Sequence, residues 1–181
     1  MVVESRPAAS DLPAGLDLAY AGLFLGLRVN ELVANRLSAA GFEDVRESHG
    51  YVLQHLIEGD RSITELAGRM EVTQQAASKV VAELISLGIL ETATGDDRRA
   101  KRIRLSKRGW HAVQSARRAR RLIEKRLLSA VGSEPYETTR TILLACLQAL
   151  GGIQRVRTRR IRQPRGVRAV QLDREFSRTR R

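Results

Sequence analysis

Two short stretches of this chain carry side chains whose types and spacing suit recognition chemistry. The first is TQQAASK at residues 73–79, which offers Thr73, Gln74, Gln75, Ser78 and Lys79. Glutamine amides bond the adenine edge bidentately, hydroxyls serve as donor or acceptor, and a lysine reaches guanine or a phosphate. The second is GDDRRAKRIR at residues 95–104, with Asp97, Arg98, Arg99 and Lys101 at its tip. Arginine is drawn to a narrow minor groove, where negative potential concentrates. A neighbouring aspartate can hold the guanidinium in a fork before any partner arrives, which lowers the entropy lost on binding. The competing readings are an ordinary solvated helix face and a charge-balanced turn.

These side chains need elements to present them. Over residues 73–87, Ala76, Ala77, Val80, Val81, Leu84 and Leu87 fall in one sector of a helix, opposite Gln74, Gln75, Ser78, Lys79, Ala82 and Glu83. Thr73 is placed to cap this helix and Gly88 to stop it. The preceding run, residues 62–70, opens with Ser62 or Thr64 as cap and Glu65 in the first turn. Two short helices across a tight turn make a helix-turn-helix, whose second helix enters a major groove by its N-terminal end. ILETAT and AKRIRLS then flank the basic tip as strands. In the second, Ile103 and Leu105 share one face and Arg102 and Arg104 the other.

Longer helices surround this unit. Residues 14–39 repeat Leu16, Tyr20, Leu23, Phe24, Leu27 and Leu32 at helical spacing, with Leu18, Leu25 and Val29 on another face. A helix apolar on more than one face is buried on more than one side, which in a short chain suggests a second subunit. Residues 44–58 direct Val52, Leu53, Leu56 and Ile57 inward. Ser106 caps a helix over 107–131. VGSEP breaks it, Ser133 is the expected cap of a last helix over 134–151, and Ile142, Leu143, Cys146, Leu147 and Leu150 run along one side of that helix.

Charge divides the chain unevenly. Of the net +12, residues 153–181 supply +9, with 11 arginines against Asp173 and Glu175. Such a tail favours a polyanion and is expected to be flexible, with Arg155, Arg157, Arg159 and Arg160 set for flanking phosphates. A solubilising tail is the alternative. The lone Cys146 fits a reducing compartment and lies in an apolar row, where a cysteine is usually inert core. No apolar leader or stretch of membrane-spanning length is visible, so a cytoplasmic, nucleoid-associated location is expected, with no membrane partner. His49 and His55 do not share a helical face and no cysteine pair joins them, so no metal is expected. No nucleophile motif, phosphate loop or carboxylate pair suggests an enzyme or a cofactor.

The segment SITELAGRMEVTQQAASKVVAELISLGILETATGDDRRAKRIRLSKRG resembles the winged-helix core of MarR-family transcriptional regulators. Its most specific piece is Asp97-Arg98-Arg99 followed by IRLSKRG, similar to the family's Asp-x-Arg wing and its Leu-Ser/Thr-x-x-Gly helix start. SHGYVLQHL also resembles the family's second helix. The resemblance implies a mainly α fold with a two- or three-stranded wing, a winged helix-turn-helix set on a helical dimerisation domain. Its expected divisions are a disordered lead-in at 1–13, a dimerisation region at 14–42 and 107–152, a DNA-binding domain at 43–106 and the tail at 153–181. It implies a homodimer, a sequence-specific regulator (a repressor by preference) on a pseudo-palindromic duplex, with helix 73–87 in the major groove and wing 94–102 in the minor groove. Arg99 would enter that groove with Asp97 bracing it. Control by a ligand or an oxidant is common in the family, but no effector motif is visible; Arg28, His49 and Trp110, near the expected hinge, are the candidate effector contacts, with core and hinge packing as the competing reading. The tail departs from the family pattern, which leaves a non-specific or architectural nucleic-acid binder as the alternative function.

Overall fold

A computed structural model describes residues 15–93 and 101–157 of the chain. The chain begins with helix α1 (Leu18–Ser38), capped by Asp17, whose carboxylate accepts the Tyr20 N–H at 2.9 Å. Helix α2 (Glu47–Leu56) follows, then strand β1 (Arg61–Ser62), α3 (Ile63–Met70) and α4 (Gln74–Ser86). Strands β2 (Leu90–Ala93) and β3 (Arg102–Leu105) lead into α5 (Lys107–Val131), α6 (Ser133–Ala149) and α7 (Ile153–Arg157). The chain is mostly helical. Among the described residues no helix is long and apolar enough to cross a membrane.

Local chemistry sets most of these boundaries. Ser62 and Glu65 form a reciprocal capping box, the Glu65 N–H reaching Ser62 Oγ and the Ser62 N–H reaching Glu65 Oε2. Thr73 Oγ1 accepts from the Ala76 N–H at 3.1 Å and opens α4. Ser106 opens α5, accepting from the Gly109 N–H at 3.0 Å while its hydroxyl donates to the Gly88 and Ile89 carbonyls. That knot explains the glycine of SKRG. A Cβ at Gly109 would stand 2.1 Å from the Ile89 carbonyl oxygen, which also accepts the Ser106 N–H at 3.0 Å.

The three strands form one antiparallel sheet in the order β1-β3-β2. Glu91 faces Arg104 in the β2–β3 register, and the two side chains pair at 2.7 Å. Ile103 and Leu105 point into the core and Arg102 and Arg104 to solvent, as the alternation predicts. β1 escapes a sequence reading because two residues carry no period. It exists through pairing of Arg61 with Ile103 and Ser62 with Arg102.

The core lies among α2, α3, α4, the sheet and the start of α5. Val52, Leu66, Leu84, Ile89 and Leu90 are its largest fully buried apolar side chains. Outside it, α1 packs along α5. α1 buries only Val33 and α6 buries no residue. Leu18, Leu23, Phe24 and Leu27 on α1, and Ile142 and Leu147 on α6, stay exposed.

Three expectations need correction. Ala76, assigned to the apolar sector of α4, is exposed, because that sector meets the core only from Ala77 onward. Ser133 is the first helical residue of α6. The cap position is Gly132, at φ 87°, and glycine has no side chain with which to cap. The start of the tail, expected to be flexible, forms helix α7 over Ile153–Arg157.

Candidate nucleic-acid interface

α4 is held by its buried side, Ala77, Val81 and Leu84, against the core. Its other side presents the predicted set. Thr73, Gln74, Gln75, Ser78 and Lys79 are all exposed. Among the described residues the side chains of Gln74, Gln75, Ser78 and Lys79 have no protein partner, and Thr73 uses its hydroxyl oxygen as the cap. Four unpartnered polar side chains in two turns on one rigid helix form a surface that can reach base edges in a groove.

Glu83 was placed on the same polar face, yet it is not free. Its Oε1 receives Arg46 Nη2 in a short ion pair and lies 3.6 Å from His49 Nε2. His49 is buried, and its Nδ1 accepts the Arg46 backbone N–H at 3.2 Å. That bond leaves the neutral ring's proton on Nε2, toward the carboxylate. Burial holds His49 below the ordinary histidine range, Glu83 opposes the shift, and the Arg46 charge adds to it. The sequence pattern offered no signal for this cluster, because it joins positions 46 and 83 through tertiary packing alone.

Lys101 is exposed at the foot of the wing. Asp97, Arg98 and Arg99 lie outside the described residues. Arginines lower on the wing are engaged within the fold. Arg102 donates to the Asp60 carbonyl at 2.7 Å and approaches Glu65, and Arg104 is held by Glu91. In the tail, Arg155 and Arg157 fall in the α7 range, while Arg159 and Arg160 lie outside the described residues.

A cavity of about 590 Å³ opens between α1, α2 and α5. Leu23, Leu27, Val33, Leu53 and Val113 supply apolar wall, and Arg46, Arg117 and Arg120 supply three cations. Its one carboxylate, Glu47, is already bonded by Asn30 Nδ2 at 2.8 Å and the Tyr51 hydroxyl at 3.0 Å. Arg28, His49 and Trp110 do not line it. Arg28 is paired with Glu31 at 2.7 Å, His49 lies beneath Arg46, and Trp110 is partly exposed. The lining comes from three helices distant in sequence, so no local motif could announce it. Among the described residues no cluster of side chains could hold a metal ion.

Residues 43–100 match the sequence profile of the MarR family. This segment is similar to the winged helix of that family. Solved structures share the fold over most of the chain. YusO from Bacillus subtilis is 22% identical, at a TM-score of 0.57, over 78% of this chain and 98% of its own. Rv1404 from Mycobacterium tuberculosis is 20% identical, at 0.63, over 81% and 99%. MepR from Staphylococcus aureus, in complex with DNA, is 16% identical, at 0.56, over 76% and 99%. At these identities the likeness is one of fold. No curated protein matches the chain.

Proposed function

We propose that this protein is a transcriptional regulator that binds double-stranded DNA as a homodimer, most simply as a repressor. The observation that carries the reading is the α4 face, where Gln74, Gln75, Ser78 and Lys79 are exposed and unpartnered among the described residues while the opposite side is locked into the core. A structure of the same fold has been solved on DNA, that of MepR. In this reading α4 enters the major groove and reads bases. Asp97, Arg98, Arg99 and Lys101 form the wing's contact with the minor groove and its phosphates. Arg155, Arg157, Arg159 and Arg160 add flanking phosphate contacts that carry no sequence information.

The unburied apolar faces of α1 and α6 support the dimer, since exposed patches of this kind mark interfaces. A two-fold protein reads two half-sites, so the expected duplex is an inverted repeat. The cavity between α1, α2 and α5 is the candidate effector site. It replaces Arg28, His49 and Trp110 as the place to look.

Selection from a random duplex library at two salt concentrations tests the reading, with wild type beside Arg99→Ala and Gln75→Ala. An inverted repeat should emerge for the wild type and be relaxed or lost in the variants. No enriched sequence, with affinity collapsing in salt for all three proteins alike, would leave a tail-driven non-specific binder instead.

A further inference from the structure

We propose that the outer face of α5 is a second nucleic-acid surface, where Lys107, Arg118, Arg121 and Lys125 hold the phosphate backbone of a duplex segment other than the one α4 meets. That the segment is a second one rests on α4 being the reading helix; the surface itself does not.

The charge of the fold is segregated. Residues 43–106, the expected DNA-binding domain, hold nine lysines and arginines against eleven acids, a net −2. α5 holds eight against Glu124, a net +7. The reading unit therefore lacks the excess of cations that neutralises a phosphate backbone, and the neighbouring helix has it. On α5, Ala112, Val113 and Ala119 are buried. At about 100° per residue, Lys107, Gln114, Arg118, Arg121 and Lys125 run along the opposite side, all exposed. Arg117 and Arg120 belong to the cavity side and take no part. Among the described residues Lys107, Arg121 and Lys125 have no hydrogen-bond or ion-pair partner, and Arg118 has only the Ser115 hydroxyl, at 2.8 Å. Like charges three and four residues apart destabilise a helix, so Arg118, Arg121 and Lys125 carry a cost that a polyanion would offset.

The shape of the stripe selects the partner. From Lys107 to Lys125 α5 rises about 27 Å, the axial length of roughly eight base pairs. The centre of the stripe holds cations and a glutamine, with Trp110 and Leu122 at its margins, whereas a protein interface centres on apolar anchors. The reverse side of the helix is buried in the fold, which leaves no apolar face to enter a membrane. Val81 and Leu84 of α4 and Ala112 and Val113 of α5 enter one core. The outer faces of the two helices therefore point away from it, and a duplex seated on α4 leaves the stripe open.

Energy transfer between two duplexes tests this on the full chain. Protein saturated with the donor-labelled selected duplex is titrated with an acceptor-labelled duplex of unrelated sequence. Wild type should bring the two together. Arg118→Gln/Arg121→Gln/Lys125→Gln should bind the second duplex about tenfold more weakly, with a salt slope smaller by about 2.7, roughly 0.9 for each lost phosphate contact, and should hold the first as before. Its melting temperature should not fall, because the substitutions break no bond but that to Ser115. Arg159→Gln/Arg160→Gln/Arg162→Gln, a loss of equal charge in the tail, should leave the transfer in place. Gln75→Ala should weaken the first duplex and not the second. Equal transfer in wild type and the α5 variant, or its loss in the tail variant alone, overturns the surface. So does an α5 variant that no longer forms the assembly of the wild type, or polyglutamate that displaces the second duplex at equal charge, since the stripe would then be a protein contact. Duplex binding that depends on the α5 cations, in a protein that selects no repeat, would keep the surface and sink the sequence-reading regulator. A selected repeat with no second duplex would do the reverse.

Discussion

The winged-helix body and the helical arm treat their apolar side chains in opposite ways. The body closes a core within one chain, from Phe42 and Val52 through Leu66 and Leu84 to Ile103 and Val113. The arm leaves Leu23 and Phe24 of α1 and Ile142 and Leu147 of α6 in water. Each such side chain is about half exposed, so it forgoes about half of the roughly 1.5–3 kcal/mol that full burial contributes. The body closes its core with its own residues, whereas the arm would be completed by the proposed second copy. That contrast is what the proposed function needs, since there a second copy joins the arm and the dimer spaces the two half-sites.

The largest effect should come from breaking the arm while sparing the body. Phe24→Asp with Leu147→Asp puts charges on both exposed faces. Sedimentation should show the proposed dimer becoming monomer, and affinity for the selected repeat should fall by about 6 kcal/mol, half the free energy of a typical specific complex. The body should keep its helical signal and its cooperative melt. A variant that stays dimeric would move the interface elsewhere.

Gly109→Ala attacks the body alone. Its Cβ would press on the Ile89 carbonyl, backbone that has no free rotor to yield. Denaturant unfolding should show a loss of about 3 kcal/mol with dimer affinity preserved in whatever remains folded. A loss below 1 kcal/mol would mean that the Ser106–Ile89–Gly109 knot gives more readily than its hydrogen bonds suggest.

The body also carries the acid sensitivity. Burial holds the His49 pKa below its ordinary 6.5, against Glu83 and alongside Arg46. The unfolded chain therefore binds more protons, so the contribution is complete above 6.5 and declines as pH falls below it. Glu65 acts in the same direction in a lower window. The Ser62 backbone N–H holds its carboxyl below the ordinary 4.5, so its contribution is present above that value and is lost as pH falls further. His49→Gln, which still offers an oxygen to the Arg46 N–H, should flatten the slope of stability just below 6.5 and leave the Glu65 window intact. An unaltered slope would assign the acid sensitivity to other groups.

The same division governs what the sequence makes legible. Capping and alternation act over three or four residues, so Ser62, Thr73, Ser106 and the Ile103/Leu105 face can be read directly. The exposed set on α4 is legible for the same reason, since one helical period decides it. Features built across the chain are hidden. β1 needs β3, the Arg46–His49–Glu83 cluster needs α2 against α4, and the cavity needs three helices. Ala76 shows the limit of periodicity, because a sector computed for a helix does not say where its neighbour ends. For the wing tip, the sequence pattern at Asp97–Arg99 remains the whole argument.

The smallest predicted difference tests whether the two regions are also capped differently. Thr73 closes an open donor at the start of α4, its Oγ1 accepting from Ala76. Thr73→Ala should lower stability by about 1 kcal/mol. Ser133 looks equivalent in sequence but sits inside the first turn of α6, after Gly132 at φ 87° with no side-chain cap. Ser133→Ala should therefore change stability by less than about 0.5 kcal/mol. Equal losses at the two sites would mean that the Ser133 hydroxyl caps in solution and that Gly132 leaves its left-handed conformation. A loss at Thr73 alone would place the local reinforcement in the body, where the core is closed, and leave α6 to depend on what packs against it.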